Sequence, residues 1–159
     1  MDYLWTPWRF QYISATEKSQ DCIFCQAVKE NRDSETLVVH RAECCFVILN
    51  RFPYNSGHLM IAPYRHIPLL EEASAPELSE MMALSARCQK LLREIYQPEG
   101  FNAGMNLGRC AGAGVAGHIH MHLLPRWSGD ANFMTVVGET RVLPEDLKTT
   151  YQKLTSRFL

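Results

Sequence analysis

The sequence predicts an α+β domain with an antiparallel sheet of about five strands and two main helices. Short apolar runs with strand periodicity make up most of the chain. One long amphipathic pattern follows residue 74, and a second helical pattern closes the sequence after Pro144. Because the strands cluster around one long helix, an antiparallel sheet is favoured.

The first half of the chain predicts one short helix and three strands. A short helical pattern follows Cys22-Ile23-Phe24-Cys25 and extends to about Glu30. Residues 37–40 and 44–49 are predicted strands, joined by a turn at 41–43. A further strand at 57–62 is ended by Pro63.

The clearest helix begins after Ser74. Ser74 and Glu77 have the spacing of a capping box, and Pro98 and Gly100 mark the end of the helix. We expect both methionines of the buried stripe to lie in the core. The residues at helical spacing are Leu78, Met81, Met82, Ser85, Cys88, Leu91, Leu92 and Ile95.

The rest of the chain predicts two strands and a last helix. The strands cover residues 101–107 and 118–124, and the second ends at Pro125. The last helix begins at Pro144, with Glu145 and Asp146 in its first turn, where they complement the helix dipole. Its apolar stripe holds Leu147, Tyr151, Leu154 and Phe158.

Composition indicates an ordinary globular protein. With 159 residues, 47% hydrophobic and 21% charged, residues 1–159 are expected to form a single domain. Residues 1–20, which include Trp5 and Trp8, are predicted to be an irregular segment that packs on the rest of the domain. His40 lies outside any motif and is expected at the surface, at the end of a strand.

Charge and hydropathy exclude two classes of partner. A formal net charge of −1 supplies no positive field to hold nucleic acid against salt, although a small anion can still bind locally. No apolar run approaches the roughly 18 residues that span a membrane, and the N-terminus lacks a signal-peptide layout. We therefore expect a cytoplasmic protein with neither nucleic-acid nor membrane partners.

The six cysteines do not form the pattern of a secreted disulfide framework. Cys44, Cys45 and Cys88 lie in apolar or helical patterns and are expected to be small buried residues. Cys22 and Cys25 have the two-residue spacing that lets both thiolates bind one metal ion. Because two thiolates are only half of a tetrahedral site, a pair of buried or redox-active thiols is the alternative.

Histidine alternates with apolar residues in the segment Gly117-His118-Ile119-His120-Met121-His122. At the strand period of two, the three imidazoles share one face, while Ile119, Met121 and Leu123 face a core. A rise of about 3.3 Å per residue places neighbouring rings roughly 7 Å apart.

A row of neutral imidazoles suits two-step transfer at phosphorus. With an unperturbed pKa of about 6.5, imidazole is a nitrogen nucleophile near neutral pH, and it is also a good leaving group. His120 has a histidine on each side, which makes it the natural nucleophile. A neighbouring ring can donate to phosphate oxygens or to the departing group. Surface histidines and a His-x-His metal site are the alternatives.

The loop before the triad, residues 106–117, holds four glycines. Backbone N–H groups approach a phosphate closely only where side chains are absent, so Gly112, Gly114 and Gly117 are predicted to help cradle phosphate. The alternative interpretation is that such a loop is only a flexible turn. The junction of the loop with the triad favours the phosphate cradle.

The chain resembles the histidine-triad family. Its His-x-His-x-His row, followed by two apolar residues and Pro125-Arg126, matches the family signature, and Asn50 with Pro53, Gly57 and His58 resembles the upstream nucleotide-binding segment. The resemblance covers nearly the whole chain and implies the HIT-like fold and a homodimer whose sheets join. Residues 4–9 and 125–134 resemble the bacterial diadenosine tetraphosphate phosphorylase-like branch.

The resemblance implies roles for individual residues. Within the triad it makes His120 the nucleophile, His122 a phosphate contact and His118 a support of the site. Elsewhere it places the ribose on Asn50 and makes His58 an orienting residue behind the triad.

Two residues near the ends of strands are further substrate-binding candidates. Asn106 matches an amide side chain that contacts the phosphate or the leaving group in the family. Trp127 follows the triad strand and is expected either to stack a base or to pack at a subunit interface.

A structural zinc is the cofactor that the resemblance implies. His66 and His118 match the histidines that complete a Cys₂His₂ site with Cys22 and Cys25 in zinc-containing members. Four protein ligands leave no open position, so such a zinc is structural, and no cofactor is expected for catalysis. Metal attachment of His118 would fix the strand that carries His120.

The chain departs from many hydrolase-branch members just before the triad. Those members carry a glutamine and a hydroxyl residue there, whereas Ala113, Gly114 and Val115 supply neither. The loop must then bind through its backbone or admit another molecule, such as inorganic phosphate.

Together these features predict a nucleotidyl transferase or hydrolase that acts on dinucleoside polyphosphates, such as diadenosine tetraphosphate. His120 would attack the α-phosphorus and carry the nucleotidyl group until water or phosphate releases it. One alternative is a zinc-dependent phosphoester hydrolase, which chelation would stop at once. Another is a non-catalytic nucleotide-binding regulator, which would produce neither AMP nor ADP.

Overall fold

A computed structural model describes residues 22–130 and 143–158 of the chain. In these residues an antiparallel sheet has the strand order β1-β2-β3-β5-β4, with helices on both faces, which confirms the predicted α+β class. The strands are β1 (Val38–Arg41), β2 (Cys45–Leu49), β3 (Leu59–Pro63), β4 (Gly100–Gly104) and β5 (Met121–Arg126). The helices are α1 (Ile23–Glu30), α2 (Asp33–Thr36), α3 (Ala75–Tyr96) and α4 (Leu147–Thr155), with 3₁₀ turns at Leu70–Glu72 and Arg109–Ala111.

The sheet separates two apolar clusters. Strand β2 is buried along its whole length, and its side chains alternate between the two faces. Cys45 packs into the cluster that includes residues of α3 and α4, and Phe46 packs into the smaller cluster with α1. Met60 belongs to the α1 cluster and pairs with His122 across β3 and β5, so His122 lies on the α1 face.

Helix α3 has the predicted capping box but a slightly rotated buried stripe. The Glu77 N–H donates to Ser74 Oγ, and the Ser74 N–H donates to the Glu77 carboxylate. Met81 is 1% exposed, but Met82 is 60% exposed, so the prediction that both are core residues is wrong for Met82. One residue turns an α-helix by about 100°, which carries Met82 off the stripe that Leu84 completes.

Strand β5 begins at Met121, later than the predicted start at His118. The Ile119 N–H donates to the carbonyl of Ile67 at 2.8 Å, so residues 118–120 lie against the segment that follows β3. Pro63 has no N–H, and the ladder between β3 and β5 does not extend to it. Strand β4 ends at Gly104 rather than residue 107, where its pairing with β5 ends at His122.

The last helix begins at Leu147 and not at the predicted Pro144. Asp146 is its N-cap, and its carboxylate accepts the Thr149 N–H at 2.9 Å. His40, expected at the surface at the end of a strand, is the next-to-last residue of β1 and is partly exposed. Its half-buried ring stacks on Phe158, with 4.7 Å between the ring centroids.

Three predictions concern residues that lie partly or wholly outside the described ranges. The packing of residues 1–20 and the resemblance at 131–134 cannot be compared with the structure, and the single domain over residues 1–159 stays a prediction. Within 22–130 and 143–158, each helix is too short or too polar to cross a membrane.

Candidate active site

The three triad histidines lie on the α1 side of the sheet at the start of β5. His118 and His120 precede the strand, and His122 lies within it. The rings of His120 and His122 are 4.9 Å apart at an interplanar angle of 72°, closer than the expected spacing of roughly 7 Å because the side chains lean together. Ile119 and Leu123 pack into the opposite cluster, as their alternation predicts.

A backbone carbonyl fixes the tautomer of His120. Its Nδ1 lies 2.8 Å from the carbonyl oxygen of His118. A carbonyl oxygen only accepts, so Nδ1–H donates and the lone pair of the neutral ring is on Nε2. Burial lowers the pKa of His120, and the bond to His118 opposes that shift. The ring is therefore neutral near pH 7, with a nucleophilic Nε2.

His58 and His122 form a histidine relay behind the triad. The backbone N–H of Tyr54 donates to His58 Nδ1 at 3.2 Å, so the His58 proton is on Nε2. His58 Nε2–H then donates to His122 Nδ1 at 2.9 Å. His122 must carry its own proton on Nε2, where it is a donor. Burial, followed by the neighbouring histidines, lowers the pKa of His58 to about 3 and that of His122 to about 4.

Asn50 supports the same assignment of the relay. Its Oδ1 accepts the Phe52 N–H at 2.9 Å, which turns its Nδ2 towards His58. Nδ2 lies 3.3 Å from His58 Nδ1. Two N–H groups thus point at one imidazole nitrogen, and that nitrogen must be the unprotonated one.

A cleft of about 600 Å³ opens in front of His120. A volume of this size is typical of small-molecule sites. Its lining combines apolar residues of α1 and the sheet with charged residues from α1 and α2, and with the rings of His120 and His122. Six of the predicted site residues line it together: His120, His122, Asn50, Asn106, Gly112 and Gly114.

The other predicted substrate contacts lie elsewhere. Gly117 lies beside His66, where a Cβ would be 3.4 Å from His66 Nε2, and it is not among the residues that line the cleft. The indole of Trp127 meets the ring of Tyr96 edge-on at 6.5 Å and is not among the lining residues. Trp127 therefore does not border this cleft in the described part of the chain, and its role stays a prediction.

Sequence reasoning misses the wall that α1 and α2 contribute. Phe24 and Ala27 of α1 and Leu37 after α2 line the cleft together with Ile48 and Met60 of the sheet. Nearby Ile23 is 51% exposed and Phe52 is 58% exposed. The apolar face of α1 was visible in the sequence, but only the tertiary packing shows that it borders a cleft.

The first histidine of the triad, His118, forms a metal-ligand group with three neighbouring side chains, those of Cys22, Cys25 and His66. One potential ligand atom from each lies within 4.8 Å of the others. Cys22 Sγ is 3.4 Å from His118 Nδ1, and Cys25 Sγ is 3.4 Å from His66 Nδ1. Tetrahedral zinc with N and S ligands requires ligand separations of about 3.3–3.8 Å.

The hydrogen bond of His118 also fits a metal ligand. Its Nε2–H donates to the carbonyl of Pro63 at 2.9 Å, which leaves Nδ1 unprotonated and facing the thiols. Metal-bound histidines usually donate their other N–H to such an acceptor. His120 and His122 are not members of this group, which argues against a catalytic metal on the triad.

Comparisons with known proteins agree with this arrangement. A model of the HIT domain matches residues 31–129. An AP-4-A phosphorylase of Mycobacterium tuberculosis is 37% identical over 162 aligned positions, covering 98% of this chain and 83% of the relative. The crystal structure of a Zn-bound histidine triad family protein from Mycobacterium smegmatis superposes with a TM-score of 0.69 at 27% identity, covering 87% of this chain and 94% of that one.

Proposed function

The chain belongs to the histidine-triad family, and on that premise we propose that it is an enzyme that cleaves dinucleoside polyphosphates, such as diadenosine tetraphosphate, by nucleotidyl transfer through His120. The observation that carries the proposal is the bond between His120 Nδ1 and the His118 carbonyl. This bond leaves a lone pair on Nε2 of a buried, neutral imidazole.

In the first step, His120 Nε2 attacks the α-phosphorus. A P–N bond forms, and the bond from the α-phosphorus to the bridging oxygen breaks, so the remaining polyphosphate leaves as an anion. In the second step, an oxygen of water or phosphate attacks the same phosphorus and breaks the P–N bond. His120 recovers its lone pair, and the nucleotide is released.

His122 and the loop residues stabilise the charge that develops. His122 Nε2–H is the donor left by the histidine relay, and His122 lines the cleft beside His120. Asn106, Gly112 and Gly114 border the same end. Asn106 Nδ2 lies 3.5 Å from the Gly112 carbonyl, which holds the amide against the loop. Donors placed where charge develops stabilise a transition state.

The metal-ligand group is proposed to hold a structural zinc. Its donor set fits tetrahedral zinc, and so do three sulfur–nitrogen separations of 3.4, 3.4 and 3.6 Å. Four protein ligands leave no open position for a reactant. We also propose a cytoplasmic location, where thiols stay reduced. A homodimer is proposed through β4, an edge strand whose residues Asn102 to Gly104 are exposed.

The experiment that tests the function is rapid-quench mass spectrometry with diadenosine tetraphosphate. The wild type should gain the mass of one adenylyl group, and the His120→Ala variant should not. Products formed with and without inorganic phosphate then identify the acceptor, because phosphorolysis yields ADP and hydrolysis yields AMP. Absence of both the adduct and the products would refute the proposal.

A further inference from the structure

Helix α1 lies between the metal-ligand group and the cleft. Cys22 is the N-cap of α1 and Cys25 lies in its first turn, and both thiols reach the histidines of the group. Ile23 and Ala27 of the same helix line the cleft. A displacement of the two thiols would therefore move a wall of the nucleotide site.

Phe24 of α1 packs its ring on two histidines of the triad. It lies between the two cysteines in the sequence and is 1% exposed. Its ring centroid is 5.2 Å from that of His118 and 4.8 Å from that of His120, with a tilt of 39° to the His120 ring. Phe24 therefore packs on the nucleophile itself as well as on a member of the metal-ligand group.

The His120 ring needs such a contact to keep its orientation. The torsion that turns an imidazole about its Cβ–Cγ bond has a broad energy profile. The bond to the His118 carbonyl holds one edge of the ring, and His122 meets it at 72°. The ring of Phe24 adds packing that restricts the swing of Nε2 away from the cleft.

We propose that Phe24 is a positioning residue for His120, and that metal binding at Cys22 and Cys25 sets the position of Phe24. Loss of the metal would then disturb the orientation and tautomer of His120, in addition to stability. The effect on the reaction rests on the proposed function. The effect on the His120 ring does not, and it can be observed without any substrate.

The test uses zinc-loaded protein with ¹⁵N-labelled histidine, in which long-range ¹H–¹⁵N correlations report each ring tautomer. In the wild type, His120 should carry its proton on Nδ1. In Phe24→Leu, His120 should show a mixture of tautomers, and the rate of adenylyl-enzyme formation should fall roughly tenfold.

Phe46→Leu is the matched control. Phe46 is fully buried in the same cluster, and its ring contacts are with Phe24 and Tyr64. The Phe46→Leu variant should lower the melting temperature about as much as Phe24→Leu does, but its His120 signals should match those of the wild type. A His120 spectrum in Phe24→Leu that matches that of the wild type would overturn the positioning role. Phe24→Met, which is closer in volume, replaces Phe24→Leu if that variant does not fold.

Zinc removal and readdition test the link to the metal. Chelation in the folded wild type should reproduce the tautomer mixture of Phe24→Leu, and added zinc should reverse it. Unchanged His120 signals in folded, metal-free protein would overturn this part. If the wild type forms no adenylyl adduct, the proposed function fails, and the spectra still decide the role of Phe24.

Discussion

His118 and His120 are two residues apart and both buried, yet the fold leaves a different nitrogen free on each. His118 donates Nε2–H to Pro63 and turns Nδ1 to the thiols. His120 donates Nδ1–H to the carbonyl of His118 and keeps its lone pair on Nε2. The backbone acceptor beside each ring, rather than the histidine repeat, therefore determines whether that ring suits a metal or a phosphorus atom.

Substitution of His120 should lower the catalytic rate more than any other change considered below. His120→Ala removes the nucleophile and should lower kcat by at least about 10⁴-fold, as loss of a catalytic nucleophile generally does. Steady-state production of ADP or AMP measures it. Bound zinc should stay at the wild-type level, because His120 is outside the metal-ligand group. Activity close to that of the wild type would remove His120 from the mechanism.

His66→Ala tests whether the metal-ligand group binds zinc. His66 is exposed, and removal of an exposed side chain without a metal changes stability by only about 0.5 kcal/mol. If His66 holds zinc, the loss should exceed about 3 kcal/mol, because metal binding is coupled to folding. That corresponds to a drop of roughly 10 °C in melting temperature for a domain of this size.

The control for His66→Ala is chelated wild type. It should melt near the temperature of the variant, and zinc should stabilise only the wild type. A variant that melts within a degree or two of the zinc-loaded wild type would show that His66 is not a ligand.

The residues that local patterns define were predictable from the sequence. The alternation in residues 118–123 placed the triad opposite the core, and the Cys22 and Cys25 pair indicated a metal site whose histidines the family pattern supplied. The capping box at Ser74 predicted the start of α3 correctly. In each case the property depends on neighbours within a few residues, so the sequence contains it.

Other features depended on tertiary packing and were not predictable. Met82 is exposed because the packed stripe of α3 is narrower than its apolar pattern. Trp127 packs on Tyr96, which is 31 residues away. The short helix α2 ends at Leu37, a leucine with φ of 68°, which no local turn signal predicts. Long-range contacts fix these details, and a single sequence does not display them.

Disruption of the histidine relay should lower kcat less than the loss of His120 does. His58→Leu removes the donor to His122 Nδ1 and should lower kcat by about 10- to 100-fold, the usual cost of losing an orienting hydrogen bond behind a working histidine. His58→Gln is the matched variant, because its Nε2–H can replace the donor and should recover part of the rate. Equal rates in the two variants would mean that the donor does not orient His122.

The last prediction concerns the difference between the wild type and His58→Leu in how their stability depends on pH. Burial lowers the pKa of His58 to about 3 and that of His122 to about 4, against about 6.5 in an unfolded chain. Below about pH 6.5 the unfolded chain binds protons that the folded protein does not, so the free energy of unfolding decreases as the pH falls towards these values. Melting should be compared between pH 7 and pH 5, above the usual carboxylate range, where Glu77, with its pKa lowered to about 2, stays ionised. The melting temperature of the wild type should fall by roughly 10 °C over this interval, and that of His58→Leu should fall less, because one buried imidazole is gone. Parallel pH profiles for the two proteins would show that His58 is not kept neutral by the fold, and the tautomer assignment of the relay would fail with it.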